Sequence, residues 1–263
     1  MSAGGELKSC CADLYASDWA RLLLGASLHP GGTALTMRLG QLMELAPGAR
    51  VLEVAAGRGT SAISLARDFG CDVIGIDYGA ANVAAARVAA RAGGLDRQVA
   101  FAVGDAEEIP CLDGWFDAVT CECAFCTFPD KRGAACELAR VLRPGGMAGL
   151  ADVVRRGRLP AGLDTLLAWI ACIADARPPD EYTGHLSAAG FEVKAIEDHD
   201  QALADLVRTV RLRLTGAQMV ARFQGTKLTG ADLAGAGELA RAAERAIVDG
   251  ALGYVLIVAR KPW

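Results

Sequence analysis

Cys121, Cys123 and Cys126 crowd the short stretch VTCECAFCTFPDK, Val119 to Lys131. Its lead-in, WFDAV, reads as a buried strand, so the thiols fall where that strand ends. Thiolates are soft ligands, and three chemistries compete for such a cluster: a structural zinc, a redox pair, or capture of a thiophilic substrate. A closed zinc site wants four ligands in two spaced pairs, and C-x-C-x-x-C with no second pair nearby fits that poorly. Free cysteine also fills small buried spaces. Cys71, Cys111 and Cys136 are read that way, Cys136 lying in the core-facing pattern of AACELARVL.

A second constellation is VLEVAAGRGTSA, a strand, a glycine turn and a helix in that order. Gly57 and Gly59 let backbone pass close to a ligand, and Gly57–Ala62 matches G-x-G-x-x-A, which is weak evidence on its own. Glu53, just before the turn, would repel a pyrophosphate but suits an ammonium group. Asp77 ends the next strand, where an acid holds ribose hydroxyls, and Asp105 and Ala106 follow the third strand in GDAEEIP. A ligand with ribose, adenine and a positively charged amino-acid end satisfies all of these, which describes S-adenosylmethionine. No G-x-x-x-x-G-K-[ST] phosphate loop is present.

The elements that must position these groups follow a clear rhythm. From residue 49 short apolar strands alternate with helices: RVLEVAA, DVIGID, VAFAVGDA, FDAVTCEC and MAGLADVV are the strands. That alternation predicts an α/β, doubly wound, mostly parallel sheet with ligands at the carboxyl ends of its strands. Residues 1–48 read as an N-terminal helical lid, in which LYASDWARLLLG is one helix stopped at Gly25 and Thr33 caps the next. Residues 49–155 form the cofactor-binding core. Residues 156–263 supply helical insertions after strand 5 and the closing strands of the same domain, with GLDTLLAWIACIADA as a helix and GYVLIVARK as a strand.

The totals exclude some partners. A net charge of −4 argues against nucleic acid, whose phosphates need a basic surplus. No apolar run is long enough to span a bilayer, and MSAGGELKSCC lacks the apolar segment of a secretion signal. A cytoplasmic protein with its nine cysteines reduced is expected.

PGARVLEVAAGRGTSA, VIGID, GDAEEIP, FDAV and RVLRPGG together resemble the ordered motifs of class I S-adenosylmethionine-dependent methyltransferases, across roughly residues 30–153. The resemblance implies a seven-stranded sheet whose last strand is antiparallel. It implies a cofactor site made by Glu53, Ala55, Gly57, Gly59, Asp77, Tyr78, Asp105 and Ala106. Side-chain alternation adds Cys121, on the same face as Cys123. Ala55 stands where the family usually has glycine. CECAFCTFPDK followed by ELARVLRPGGMAGLADVVRRGRLP is similar, more narrowly, to the arsenite methyltransferases. That similarity implies trivalent arsenic held by Cys123 and Cys172, with Cys10 or Cys11 as a third thiol and a thiol reductant as a further partner. Two alternatives stay open: an organic acceptor such as a quinone precursor or a thiol, and a non-catalytic metalloid or redox sensor on the same scaffold. A nicotinamide oxidoreductase rests only on the G-x-G-x-x-A match. His29 is left out of catalysis, and His185 and His199 are read as surface positions.

Overall fold

The computed structural model describes residues 3–25, 27–160, 163, 172–224 and 233–263. Its seven strands form one sheet, β1 Arg50–Val54, β2 Asp72–Asp77, β3 Val99–Val103, β4 Phe116–Glu122, β5 Leu142–Arg155, β6 Glu192–Asp198 and β7 Leu252–Arg260. Their spatial order is β3-β2-β1-β4-β5-β7-β6, with β7 antiparallel to both neighbours and the first five strands parallel. The chain winds outward from β1 to β3 and then returns to β4 on the other side of β1. The strand order therefore reverses between β1 and β4, the place where such sheets bind ligands.

The local chemistry explains the elements. β1, β4 and β7 are buried almost end to end because both faces of the sheet are covered. Helices α4 Thr60–Phe69 and α5 Ala80–Ala92 each turn a stripe of small and aliphatic residues to the sheet. Asp130 caps α6 Lys131–Val141 by accepting from the Gly133 N–H at 2.8 Å. β5 starts ahead of the expected strand MAGLADVV and takes in the residues RPGG, with a register shift opposite Phe116 and Ala118.

The N-terminal region differs in detail from expectation. LYASDWARLLLG is not one helix: α1 Ala3–Ala16 ends before Ser17, and α2 Asp18–Leu24 starts anew and stops at Gly25. Ser17 Oγ accepts from the Ala20 N–H at 3.2 Å, so a hydroxyl able to cap breaks the apolar stripe. α3 Gly32–Leu42 begins at Gly32 after the left-handed Gly31, so Thr33 is not its cap. Helices α7 Pro179–Ala188, α8 Asp200–Gln224 and α9 Leu233–Val248 complete the fold. The Arg213 guanidinium donates to the Leu23 carbonyl at 2.8 Å and ties α2 to α8. Most of the helix expected over GLDTLLAWIACIADA lies outside the described residues, and its last part, 172–176, is turn rather than helix. No helix among the described residues is long and apolar enough to cross a membrane.

One packing contact sets the shape of the glycine turn. The buried Phe101 ring lies where a Cβ on Gly59 or on Gly75 would come within 2.5 Å of it. Glycine at both positions lets α4 and β2 close on this ring. Replacing Phe101 with alanine is expected to cost about 3–5 kcal/mol. Urea denaturation checks this, with a fall in midpoint at unchanged slope.

Candidate functional site

The cleft opens at the carboxyl ends of β1, β2, β3 and β4 and is roofed by α1. Glu53, Ala55, Gly57, Asp77, Tyr78, Asp105 and Ala106, all expected at the cofactor site, line it. Gly59 is buried directly behind the turn. Ala55, Gly57 and Gly59 have φ values of 57°, 53° and 80°. Glycine accepts this left-handed region freely, whereas an L-residue pays about 1–2 kcal/mol for it. Asp77 holds the turn in place: its Oδ2 accepts from the Gly57 N–H at 2.8 Å, and its Oδ1 from the Gly79 N–H at 2.8 Å and Asn82 Nδ2 at 3.0 Å.

Glu53 is 3% exposed, and burial, with the charge of Glu122 second, pushes its carboxyl well above the usual range. Its Oε2 is buried with no hydrogen-bond partner among the described residues. An acceptor of that kind is complete only with a donor from a ligand, and an ammonium group fits. Lys8 on α1 holds the next acid. Its Nζ lies 2.7 Å from Asp105 and 2.6 Å from Glu107. Burial works against its charge, but the two carboxylates outweigh that and raise its pKa.

The thiols meet. Cys123 and Cys172, 49 residues apart, bring their sulfurs to 3.6 Å. Both have left-handed backbone, φ 54° and 61°. Cys172 is the more acidic of the two. The thiols of Cys123 and Cys126 donate to it and Lys131 adds positive charge, which outweighs burial and holds its pKa well below the ordinary value. Cys123, the donor in that bond and half-buried at the cleft wall, is pushed well above. Asp152 on β5 lies beside the pair, and burial first and Cys172 second push its carboxyl up to about 7. Cys11 on α1 lines the cleft, and burial pushes its thiol up to about 12. Cys10 is not among the lining residues.

Three expectations need correction. Cys121 is fully buried in the core and does not line the cleft. The left-handed Cys123 breaks the alternation that had placed both on one face, and Glu122 lines the cleft instead. Cys136 is exposed on α6, because its neighbours Ala134, Ala135 and Leu138 carry the buried face. His185 and His199 are half-buried, and His185 packs edge-on to Phe125 at 6.5 Å.

His29, expected to line the pocket as a hydrogen-bonding residue, is buried and does line the cleft; its Nε2 lies 3.2 Å from Ser61 Oγ, its Nδ1 3.1 Å from the Pro30 carbonyl and 3.7 Å from Glu122. The sequence reading missed other residues. Thr36 donates to Glu122 at 3.0 Å. A charged residue closing the apolar strand of FDAVTCE was the available signal for Glu122. Lys8 and Asp152 had none.

A family model described as a methyltransferase domain matches residues 51–146. The 27-O-demethylrifamycin SV methyltransferase of Amycolatopsis mediterranei is 32% identical over 244 residues, 90% of this chain and 86% of that protein. An arsenite methyltransferase of Halobacterium salinarum is 30% identical over 164 residues, 60% of this chain and 41% of that protein. Among solved structures, a phosphoethanolamine N-methyltransferase of Haemonchus contortus, in complex with its phosphomonomethylethanolamine ligand and S-adenosylhomocysteine, shares the fold. Its TM-score is 0.80 at 19% identity, over 100% of this chain and 61% of that one.

The strain at Ala55 makes a prediction. Ala55→Gly removes the left-handed penalty and adds about 0.5–1 kcal/mol of backbone entropy cost, for a net gain of up to about 1 kcal/mol. Ala55→Val, β-branched in the same region, is expected to destabilise. Thermal melts of the two variants should move in opposite directions.

Proposed function

Because the chain belongs to the family of S-adenosylmethionine-dependent methyltransferases, we propose that its methyl acceptor is a soft, thiophilic centre of the trivalent-arsenic kind, held by Cys123 and Cys172. The cofactor supplies a methyl group on a sulfonium. Glu53, with its unpartnered buried oxygen, would hold the cofactor's ammonium, Asp77 its ribose, and Asp105 and Tyr78 its adenine end. The observation that carries the acceptor reading is the 3.6 Å approach of two sulfurs from distant parts of the chain, one of them lining the cofactor cleft. Thiolates bind trivalent arsenic through sulfur and leave its lone pair free. Such a nucleophile needs positioning and exclusion of water rather than a general base. Of the two N-terminal candidates, Cys11 is the third thiol that faces the cleft.

A second reading, an organic hydroxyl acceptor, draws on two observations. The rifamycin-type relative covers most of this chain. The buried His29 also sets an imidazole 3.7 Å from the Glu122 carboxylate, the kind of pairing that general-base catalysis on a hydroxyl uses.

The deciding measurement is product analysis after incubating the protein with S-adenosylmethionine, a thiol reductant and arsenite. Methylated arsenic is expected, falling to background in Cys123→Ser and in Cys172→Ser while both variants still bind the cofactor. Cofactor binding without methylated arsenic in the unmodified protein would move the acceptor to organic compounds. A further expectation concerns Lys8, which competes for the acid assigned to the adenine end. Lys8→Met should tighten S-adenosylmethionine binding by roughly three- to tenfold in calorimetry, the scale of one partly buried ion pair. Unchanged or weaker binding would rule out the competition.

A further inference from the structure

The two sulfurs do not stand alone. An oxygen of Asp152 joins them in a group whose donor atoms all lie within 4.8 Å of one another. Cys172 and Asp152 are 1% and 2% exposed, while Cys123 lines the cleft. Zinc–thiolate bonds of about 2.3 Å on a tetrahedral ion place two sulfurs about 3.8 Å apart, close to the 3.6 Å found here. Asp152 is already oriented: its Oδ2 accepts from the Cys126 N–H at 2.9 Å and its Oδ1 from the Val153 N–H at 2.8 Å. Backbone N–H groups of this kind fix the direction of a ligating carboxylate and leave it lone pairs to share. The left-handed backbone at both cysteines is further evidence of constraint, because strain of this kind persists where the surroundings demand one geometry. Cys126 touches Cys172 but is not part of the group, so three donors converge, and a tetrahedral ion held by them would keep one position open. Three protein ligands with an open position is the pattern of reactive zinc sites, whereas structural sites close with four.

We infer that Cys123, Cys172 and Asp152 form a binding site for a soft divalent cation of the zinc class, with its open position facing the methyl-donor cleft. The inference rests on the acceptor reading only in using the same two thiols. It does not require that arsenic be methylated. Binding breaks the S–H bond of Cys123, releases that proton and any still held by Cys172 to solvent, and forms two metal–sulfur bonds. Cation and metalloid then exclude one another, and the cation acts as a competitor for the acceptor site.

Cadmium serves as the probe, because its thiolate bonds give a charge-transfer absorption in the ultraviolet. The metal-free full-length chain is titrated with Cd2+ with and without arsenite. The expected result is one tightly bound Cd2+ per chain, displaced by stoichiometric arsenite. Its absorption should fall by about half in Cys123→Ser or Cys172→Ser, as one of two thiolates is lost. Asp152→Asn should keep the absorption but weaken binding by about tenfold or more. Circular dichroism and cofactor binding confirm that each variant is folded, and Asp152→Glu replaces the asparagine variant if that one is not. Absorption unchanged in both cysteine variants overturns the inference, whereas Cd2+ bound through both thiols that arsenite fails to displace upholds the cation site and counts against the acceptor reading. Cadmium bound through both thiols, with no methylation of arsenite, upholds it and removes the acceptor reading. Methylated arsenic with no cadmium site does the reverse.

Discussion

The two central strands of the sheet each hand over to a residue in the left-handed region that is not glycine: Ala55 follows β1 and Cys123 follows β4. Much of the cleft depends on this pair of turns. A strand that ran on would keep its side chains alternating and carry the chain past the sheet edge. A left-handed residue instead folds the backbone back over the strand end. At β1 the result is a loop whose amide reaches Asp77. At β4 it turns Cys123 toward Cys172 while Glu122 takes a place in the cleft wall. Both turns carry conformational strain where a ligand is expected, in keeping with strain collecting at functional sites.

Electrostatics gives the two halves of the cleft different characters. One side carries Glu53, Asp77, Asp105 and Glu122, a surplus of carboxylates suited to a ligand bearing an ammonium and a sulfonium. Lys8 answers part of that surplus from α1, an element outside the sheet. The other side carries sulfur, with Cys123, Cys126 and Cys172 gathered around Asp152. α1 spans both, placing Lys8 over the acids and Cys11 and Tyr15 toward the thiols. A single helix thus covers both halves of the cleft.

The sheet was legible in the sequence because a parallel sheet covered on both faces leaves an unmistakable run of short apolar segments separated by helices. The motif residues Glu53, Gly57, Asp77 and Asp105 were legible because strand ends fix where their side chains go. The approach of Cys123 to Cys172 followed only from a likeness to other proteins, since no local pattern links residues so far apart. Cys121 was misplaced because alternation was carried one residue past the end of its strand, where the backbone had already left the β region. Cys136 was misplaced because an alanine-rich helix offers several equally small faces, and hydrophobicity alone does not choose among them. Lys8 and Asp152 gave no signal, for their roles arise wholly from what tertiary packing sets beside them.

The sheet order has a consequence for how the chain assembles. β7 follows β6 in sequence, separated from it by α8 and α9, yet it lies between β5 and β6 and pairs with both. Until β7 arrives, β6 has no partner and the open side of β5 is a bare strand edge. The parallel half, from β1 to β5, can form from nearby pieces, whereas the other end waits on a long loop closure. The apolar residues of β5 are meanwhile exposed to whatever other chains are near. On contact order alone, the slow and aggregation-prone step expected of this fold is the insertion of one strand between two neighbours that are distant from it in sequence.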